Sequence, residues 1–244
     1  MERLLNVKEA AALLNVAEMT IRRWTNAGAL RCYRVGGKHE RRFRIEDLQA
    51  YLDQQSDQIP PSSGVVQLGF GSAVIPDRSH LSHLCLSRPE GQDVGISFLL
   101  QGLTSEETVL LVAPRGTLDT FINLLETQGV DVEKARRQNR LHLSLGMDTP
   151  QAMAAYIAQT ISAAHGNFRL FGDMTWVKDQ GWSMDTLREL EEMANSALGA
   201  DGRIFLCQYL LDCFSAQEAM MAAETHDYTF YKGLLRESPY SATN

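Results

Sequence analysis

The chain is poor in cysteine. Its four, Cys32, Cys85, Cys207 and Cys213, show neither zinc-finger nor regular disulfide spacing. That excludes a disulfide scaffold or a zinc-finger module and leads us to expect a reduced, cytoplasmic protein. No run of eighteen apolar residues occurs, and no basic, apolar and small-residue series marks a secretory leader. Neither a membrane partner nor export is expected. Two catalytic signatures are also missing. No Gly-x-Ser-x-Gly elbow is present to raise a serine nucleophile. The stretch Arg88-Pro89-Glu90-Gly91-Gln92-Asp93-Val94-Gly95-Ile96-Ser97 lacks the Gly-Lys-Ser/Thr ending that a nucleotide-hydrolysing phosphate loop requires. The protein is expected not to be an enzyme, and no cofactor and no metal are expected.

Basic residues are scarce overall, for a net charge of −7, yet they are concentrated. Residues 1–53 hold ten Lys/Arg against seven Asp/Glu, and within 22–44 eight basic residues face the single acid Glu40. An acidic protein with one basic patch uses it for a polyanion, because phosphate neutralisation dominates nucleic-acid affinity. The local pattern agrees. Asn6 can cap a short amphipathic helix with Val7, Ala11 and Leu14 on one face. A second helix, about 17–27, turns Ile21 and Trp24 inward and Thr20, Arg22 and Arg23 outward, and Gly28 ends it. Gly36-Gly37 then supplies the turn of a basic hairpin. Two helices and a basic hairpin make a winged helix-turn-helix. Its second helix is expected in the major groove of double-stranded DNA, presenting Thr20, Arg22 and Arg23. Arg34, Lys38, His39, Arg41 and Arg42 are expected on phosphates or the minor groove.

A helix over 46–54 closes this head, giving a DNA-binding domain over 1–54. The polar, Pro/Ser-rich stretch that follows is expected as a linker over 55–74. Beyond it, β-rich runs at 83–87, 108–113, 141–145, 168–173 and 203–209 alternate with helical patterns at 93–103, 116–128, 149–165 and 183–198. Strands apolar on both faces, separated by helices, predict an α/β domain with a parallel sheet over 75–237.

Residues 3–52 resemble the helix-turn-helix of MerR-like and excisionase-type regulators through Val7-Lys8-Glu9-Ala10-Ala11, Thr20-Ile21-Arg22-Arg23-Trp24, Gly28-Ala29-Leu30 and Gly36-Gly37-Lys38-His39-Glu40-Arg41-Arg42-Phe43. Residues 75–235 resemble the MEDS (DcmR-like) sensory domain. The matching pieces are His83-Leu84-Cys85, Phe98 to Leu103 followed by Glu107, Arg169 to Trp176, the glutamates of 189–192, and Cys207-Gln208-Tyr209. The usual form has Gly-Asp before the His, where Leu81-Ser82 stands here. The resemblance implies a RecA/KaiC-like fold turned to sensing a small organic molecule such as a hydrocarbon derivative.

His83 and Cys85, two apart, share a strand face, and Cys207 and Tyr209 repeat the spacing on a strand that a RecA-like order places nearby. They read as a soft metal site, as the lining of a small-molecule pocket, or as ordinary core. Arg169 in an apolar strand needs a partner, either Glu191 or a ligand anion. Asp173 orients a ligand or caps the next helix. Trp176 covers the pocket or the sheet edge. The expected effector set is therefore His83, Cys85, Arg169, Asp173, Trp176, Glu191, Cys207 and Tyr209. His226, in Thr225-His226-Asp227, reads either as closing the site or as an exposed loop histidine, and the second is expected. The function that follows is a DNA-binding transcriptional regulator, a homodimer, whose operator binding responds to a small-molecule effector. The rivals are a regulator that binds a nucleotide without hydrolysing it and an excisionase-type architectural DNA binder.

Overall fold

The computed structural model describes residues 4–14, 18–26, 30–37, 40–48, 64–71, 74–199 and 202–240. The chain divides into two compact units, Met1–Ser62 and Ser63–Asn244.

In the first unit, α1 spans Val7–Leu13 and begins with a reciprocal cap. The Asn6 side chain accepts from the Glu9 amide at 2.9 Å, and the Glu9 carboxylate accepts from the Asn6 amide at 2.8 Å. The second helix, α2, spans Glu18–Asn26. Strands β1 (Tyr33–Val35) and β2 (Glu40–Arg42) form the antiparallel wing, with Arg34 opposite Arg41. A backbone bridge between Leu5 and Phe43 ties the wing to the start of the chain. Ala10, Ile21, Leu30, Phe43 and Leu48 make the small core beneath these elements.

The second unit opens with a ribbon, β3 (Val65–Gln67) against β4 (Val74–Pro76). The following elements are β5 (Arg78–Cys85), α3 (Arg88–Thr104), β6 (Thr108–Val112), α4 (Arg115–Thr127), α5 (Val132–Arg137) and β7 (Leu141–Ser144). Next come α6 (Pro150–Ala163), β8 (Phe168–Asp173), α7 (Trp176–Asp179), α8 (Met184–Leu198), β9 (Arg203–Leu210), α9 (Ala216–Thr225), β10 (Tyr228–Tyr231) and β11 (Leu234–Glu237). The sheet runs β11-β10-β5-β9-β8-β6-β7 and is parallel except at β11. Helices α3, α4 and α5 pack on one face over Leu81, Val109, Leu111, Phe171 and Leu206. Helices α6, α8 and α9 cover the other, over Leu110, Val112, Leu170, Phe205 and Tyr209. Gly95 lets α3 lie close on the sheet, because a Cβ there would sit 2.6–2.7 Å from the Phe121 and Phe171 rings. Among the described residues no helix is long and apolar enough to cross a membrane.

Three expectations need correction. Residues 65–71 lie in the body, not in a linker: Leu68 and Phe70 are buried, and the Phe70 ring stands 4.7 Å from that of Phe230. The first sheet strand starts at Arg78 rather than 83. Its polar opening is buried because distant groups satisfy it, with the Asp227 carboxylate accepting from the His80 amide at 2.9 Å and Ser82 Oγ meeting Thr229 Oγ1 at 3.0 Å. Helix α3 begins at Arg88 rather than 93, because Ser87 caps it and Pro89 suits its first turn.

Candidate functional site

The head presents a basic cleft of about 490 Å³ between α1, α2 and the wing, lined by Lys8, Glu18, Arg22, Arg34, Glu40, Arg41 and Arg42, with Asn6 and Val7. Arg22 and Arg34 are exposed. Arg22 lies 3.9 Å from Glu18, and Arg42 pairs with Glu40 at 2.6 Å. Exposed pairs of this kind are weak, so the guanidinium groups remain available to phosphate. Lys38 and His39 fall outside the described residues, as do the side chains of Thr20 and Arg23.

In the body, register splits the residues expected at one pocket between the two faces of the sheet. Ser82 of β5 lies opposite Cys207 of β9, and His83 lies opposite Gln208. Side chains alternate along a strand, so His83 and Cys85 point to the α3 face while Cys207 and Tyr209 point to the α8 face. His83 instead bonds Gln208 Oε1 through Nδ1 at 3.0 Å and stacks on Phe230. Burial lowers its pKa to about 4 and pushes the Cys85 thiol up to about 12.

Arg169 also faces α3, so Glu191 is not its partner. Its Nε and Nη2 donate to the two carboxylate oxygens of Glu107 at 2.6 and 3.0 Å. Nη1 donates to the carbonyls of Phe98 and Leu68 at 3.2 and 3.4 Å, and Nη2 to that of Gln67 at 3.1 Å. The guanidinium is fully buried over the Phe98 ring. All five N–H groups are therefore used within the protein, and Arg169 clamps the β3–β4 ribbon to the sheet. Asp173 Oδ1 accepts from the Thr175 amide and hydroxyl at 3.1 and 2.8 Å, which shapes the turn into α7.

The α8 face gathers a polar cluster that contains one residue the sequence did not single out, His80, and one expected on an exposed loop, His226. His80 of β5, Glu191 of α8, Cys207 of β9 and His226, which follows α9, are all buried, and one donor atom from each lies within 4.8 Å of the others. His80 Nε2 stands 3.3 Å from Cys207 Sγ and 3.4 Å from Glu191 Oε2. Glu191 Oε2 is 3.6 Å from both His226 Nε2 and Cys207 Sγ. Tyr209 donates its hydroxyl to Glu191 Oε1. Desolvation raises Glu191 to about 7, lowers His80 to about 4, holds His226 well below and Cys207 well above their ordinary ranges. His226 is thus not an exposed loop histidine. His80 escaped notice because it stands at the unread start of β5, and His226 reads as a loop residue because nothing local marks the end of α9 as buried.

An apolar cavity adjoins this cluster between the sheet, α6 and α8. Val112, Met153, Ile157, Leu170, Met174, Trp176 and Phe205 line it, together with Glu191 and Cys207 of the cluster. The cavity has room for about one water. Trp176 is seated by Gly146, whose φ of +90° brings bare backbone against the indole.

Comparison with known proteins divides the chain at the same place. Residues 4–56 match a helix-turn-helix domain family. Residues 79–227 match MEDS, the MEthanogen/methylotroph, DcmR Sensory domain. The chain is 32% identical over 250 residues to the transcriptional repressor DcmR of Methylorubrum extorquens, covering 97% of this chain and 94% of that protein. The crystal structure of a KaiC-like protein from Pyrococcus horikoshii OT3 matches with a TM-score of 0.54 at 11% identity, over 73% of this chain and 90% of that one. That likeness is one of fold. A helix-turn-helix head with a basic cleft, joined to a sensory body on a KaiC-like sheet, is a DNA-binding regulator of transcription, and the chain belongs to the MEDS family.

Proposed function

We propose that the chain is a cytoplasmic transcriptional repressor, acting as a homodimer, whose grip on its operator changes when a small organic effector enters the body. The observation that carries this reading is the cavity between the sheet, α6 and α8, apolar along its walls, with Glu191 and Cys207 among its lining residues. With room for about one water in this conformation, the cavity takes a small effector with an apolar part and one polar or halogen substituent only as its lining side chains move aside. Met153 and Met174 in its wall are unbranched and adapt to an entering group. Of the eight residues expected around the effector, Trp176, Glu191 and Cys207 line this cavity, and Tyr209 orients Glu191.

On DNA, α2 enters the major groove with Thr20, Arg22 and Arg23, and the wing holds phosphates with Arg34, Lys38, His39, Arg41 and Arg42. One small head covers little DNA, so useful specificity calls for two heads on paired half-sites. The relative's name, repressor, supports the direction of control. The body is regulatory rather than catalytic. In support, β5 runs into α3 through Leu86 and Ser87 alone, too short a turn to wrap phosphates.

The test is operator binding by fluorescence anisotropy, with and without a panel of short-chain alcohols, aldehydes and halides. Native mass spectrometry of the same sample reads the stoichiometry. The expected result is a dimer and a shift of about 5–150-fold in operator affinity for at least one compound. Ile157→Trp, which fills the cavity, should keep DNA binding and lose the response. A response that survives Ile157→Trp unchanged would place the effector elsewhere, and a protein that stays monomeric on its operator would end the paired-head reading.

A further inference from the structure

We propose that the body binds one divalent transition metal ion of the zinc class through His80, Glu191, Cys207 and His226. This site stands whether or not the neighbouring cavity takes an effector.

Geometry carries the argument. A tetrahedral ion bound at about 2.0–2.3 Å has ligand–ligand edges of about 3.3–3.6 Å when nitrogen, oxygen and one sulfur share it. Four of the six edges are 3.3, 3.4, 3.6 and 3.6 Å, and the two from His226 to His80 and to Cys207 fall within the 4.8 Å that spans the cluster. The 3.6 Å contact of Glu191 Oε2 with His226 Nε2 is too long for a hydrogen bond yet fits a coordination edge.

The second layer of contacts fixes the tautomer of both imidazoles, whose rings pack with centroids 3.9 Å apart. His226 Nδ1 lies 2.7 Å from the Ala222 carbonyl, an acceptor only, so Nδ1 carries the hydrogen and Nε2 a bare lone pair. That Nε2 is buried and has no hydrogen-bond partner. Asn195 does the same for His80. Its Nδ2 donates to the Thr225 carbonyl at 2.7 Å, which turns Oδ1 toward His80 Nδ1 at 2.8 Å. His80 therefore also offers a lone pair from Nε2. Backbone or amide acceptors behind a ligating histidine are the usual means of fixing its tautomer and direction.

Charge closes the case. Two lone pairs, a thiol sulfur and a carboxylate oxygen converge where water does not reach, and no lysine or arginine stands among them. With thiolate and carboxylate ionised, a doubly charged cation makes the site neutral, as a desolvated interior requires. The mixed nitrogen, sulfur and oxygen set is borderline-soft and favours zinc over magnesium or calcium.

The experiment uses the full chain, stripped with a chelator and titrated with Zn²⁺ and Co²⁺. One equivalent should bind, and Co²⁺ should produce the visible bands of tetrahedral cobalt with a thiolate charge-transfer band in the near ultraviolet. Cys207→Ser should remove the charge-transfer band, while Cys85→Ser leaves it intact. Should Cys207→Ser not fold, Asn195→Ala on the exposed side of α8 carries the test, with affinity expected to fall about 10–100-fold. Folded protein that takes up no Co²⁺, or a spectrum unchanged in folded Cys207→Ser, would overturn the proposal.

Discussion

Glu107→Ala is expected to unfold the body far more readily than the loss of a surface acid would. The carboxylate accepts two of the five hydrogen bonds made by Arg169, and neither residue is accessible enough for water to replace it. Truncation leaves a full positive charge in a site that is 0% exposed, with two donors orphaned and only three carbonyls for company. Breaking one partner of a buried ion pair costs about 3–5 kcal/mol. For a body of this size each kcal/mol moves the midpoint by about 2–4 °C, so melting should drop by roughly 6–20 °C. Replacing both partners, Glu107→Leu with Arg169→Met, removes the stranded charge and should recover part of that loss. The three freed carbonyls limit the recovery. Urea and thermal unfolding followed by circular dichroism measure both variants. A Glu107→Ala loss below about 1 kcal/mol, or a double variant no better than the single, would refute the buried-pair account.

Three further outcomes follow from the same kind of reasoning. His83, lowered to about 4 by burial, takes up its proton in the unfolded chain before the folded one. Its stabilising contribution is complete above pH 6.5 and is lost as pH falls toward 4, by about 2–3 kcal/mol at pH 4.5. Urea unfolding of His83→Gln should show a correspondingly smaller acid loss. Native protein treated with a thiol reagent at pH 8 should label exposed Cys213 first and Cys32 more slowly, while Cys85 and Cys207 react only on unfolding, counted by mass spectrometry. Arg34→Ala should weaken binding to operator and random DNA alike. It should lower the slope of log affinity against log salt by about 1, whereas unchanged salt dependence would remove Arg34 from the phosphates.

Short-range chemistry was legible in the chain, and long-range parity was not. The Asn6–Glu9 cap and the Gly36 turn act within a few residues, so the head could be read almost element by element. Thr108–Val112 and Phe168–Asp173 announced themselves because strands covered on both faces must be apolar throughout. Helix α5, six residues long, is too short to show a period, and the ribbon over 65–76 was masked by the Pro60-Pro61-Ser62-Ser63 run beside it. The site failed differently. Which residues of β5 and β9 share a face depends on a register that brings together positions more than a hundred residues apart. A shift of one residue moves every side chain to the other face. For that reason His83 and Cys85 do not share a face with Cys207 and Tyr209, and His80, which does, carries no local signal of it.

The end of the sheet where an α/β fold commonly receives phosphate is closed here by the protein's own acid. Ligands of such folds usually sit beyond the carboxyl ends of the strands, where a helix N-terminus attracts an anion. At that place Glu90 Oε2 accepts from the Leu86 amide at 2.8 Å, and Ser87 Oγ takes the Glu90 amide at 3.3 Å. Asp173 adds a second carboxylate beside Cys85, Arg88 and Gln92, around a cavity with room for about one water. Two acids and a self-capped helix disfavour the charge that a nucleotide would bring, with Arg88 acting the other way. The α3 face is meanwhile locked by Arg169 and filled by phenylalanine rings. Of the two faces, the α8 side, where apolar walls meet the His80, Glu191, Cys207 and His226 cluster, is the one we propose for an incoming molecule.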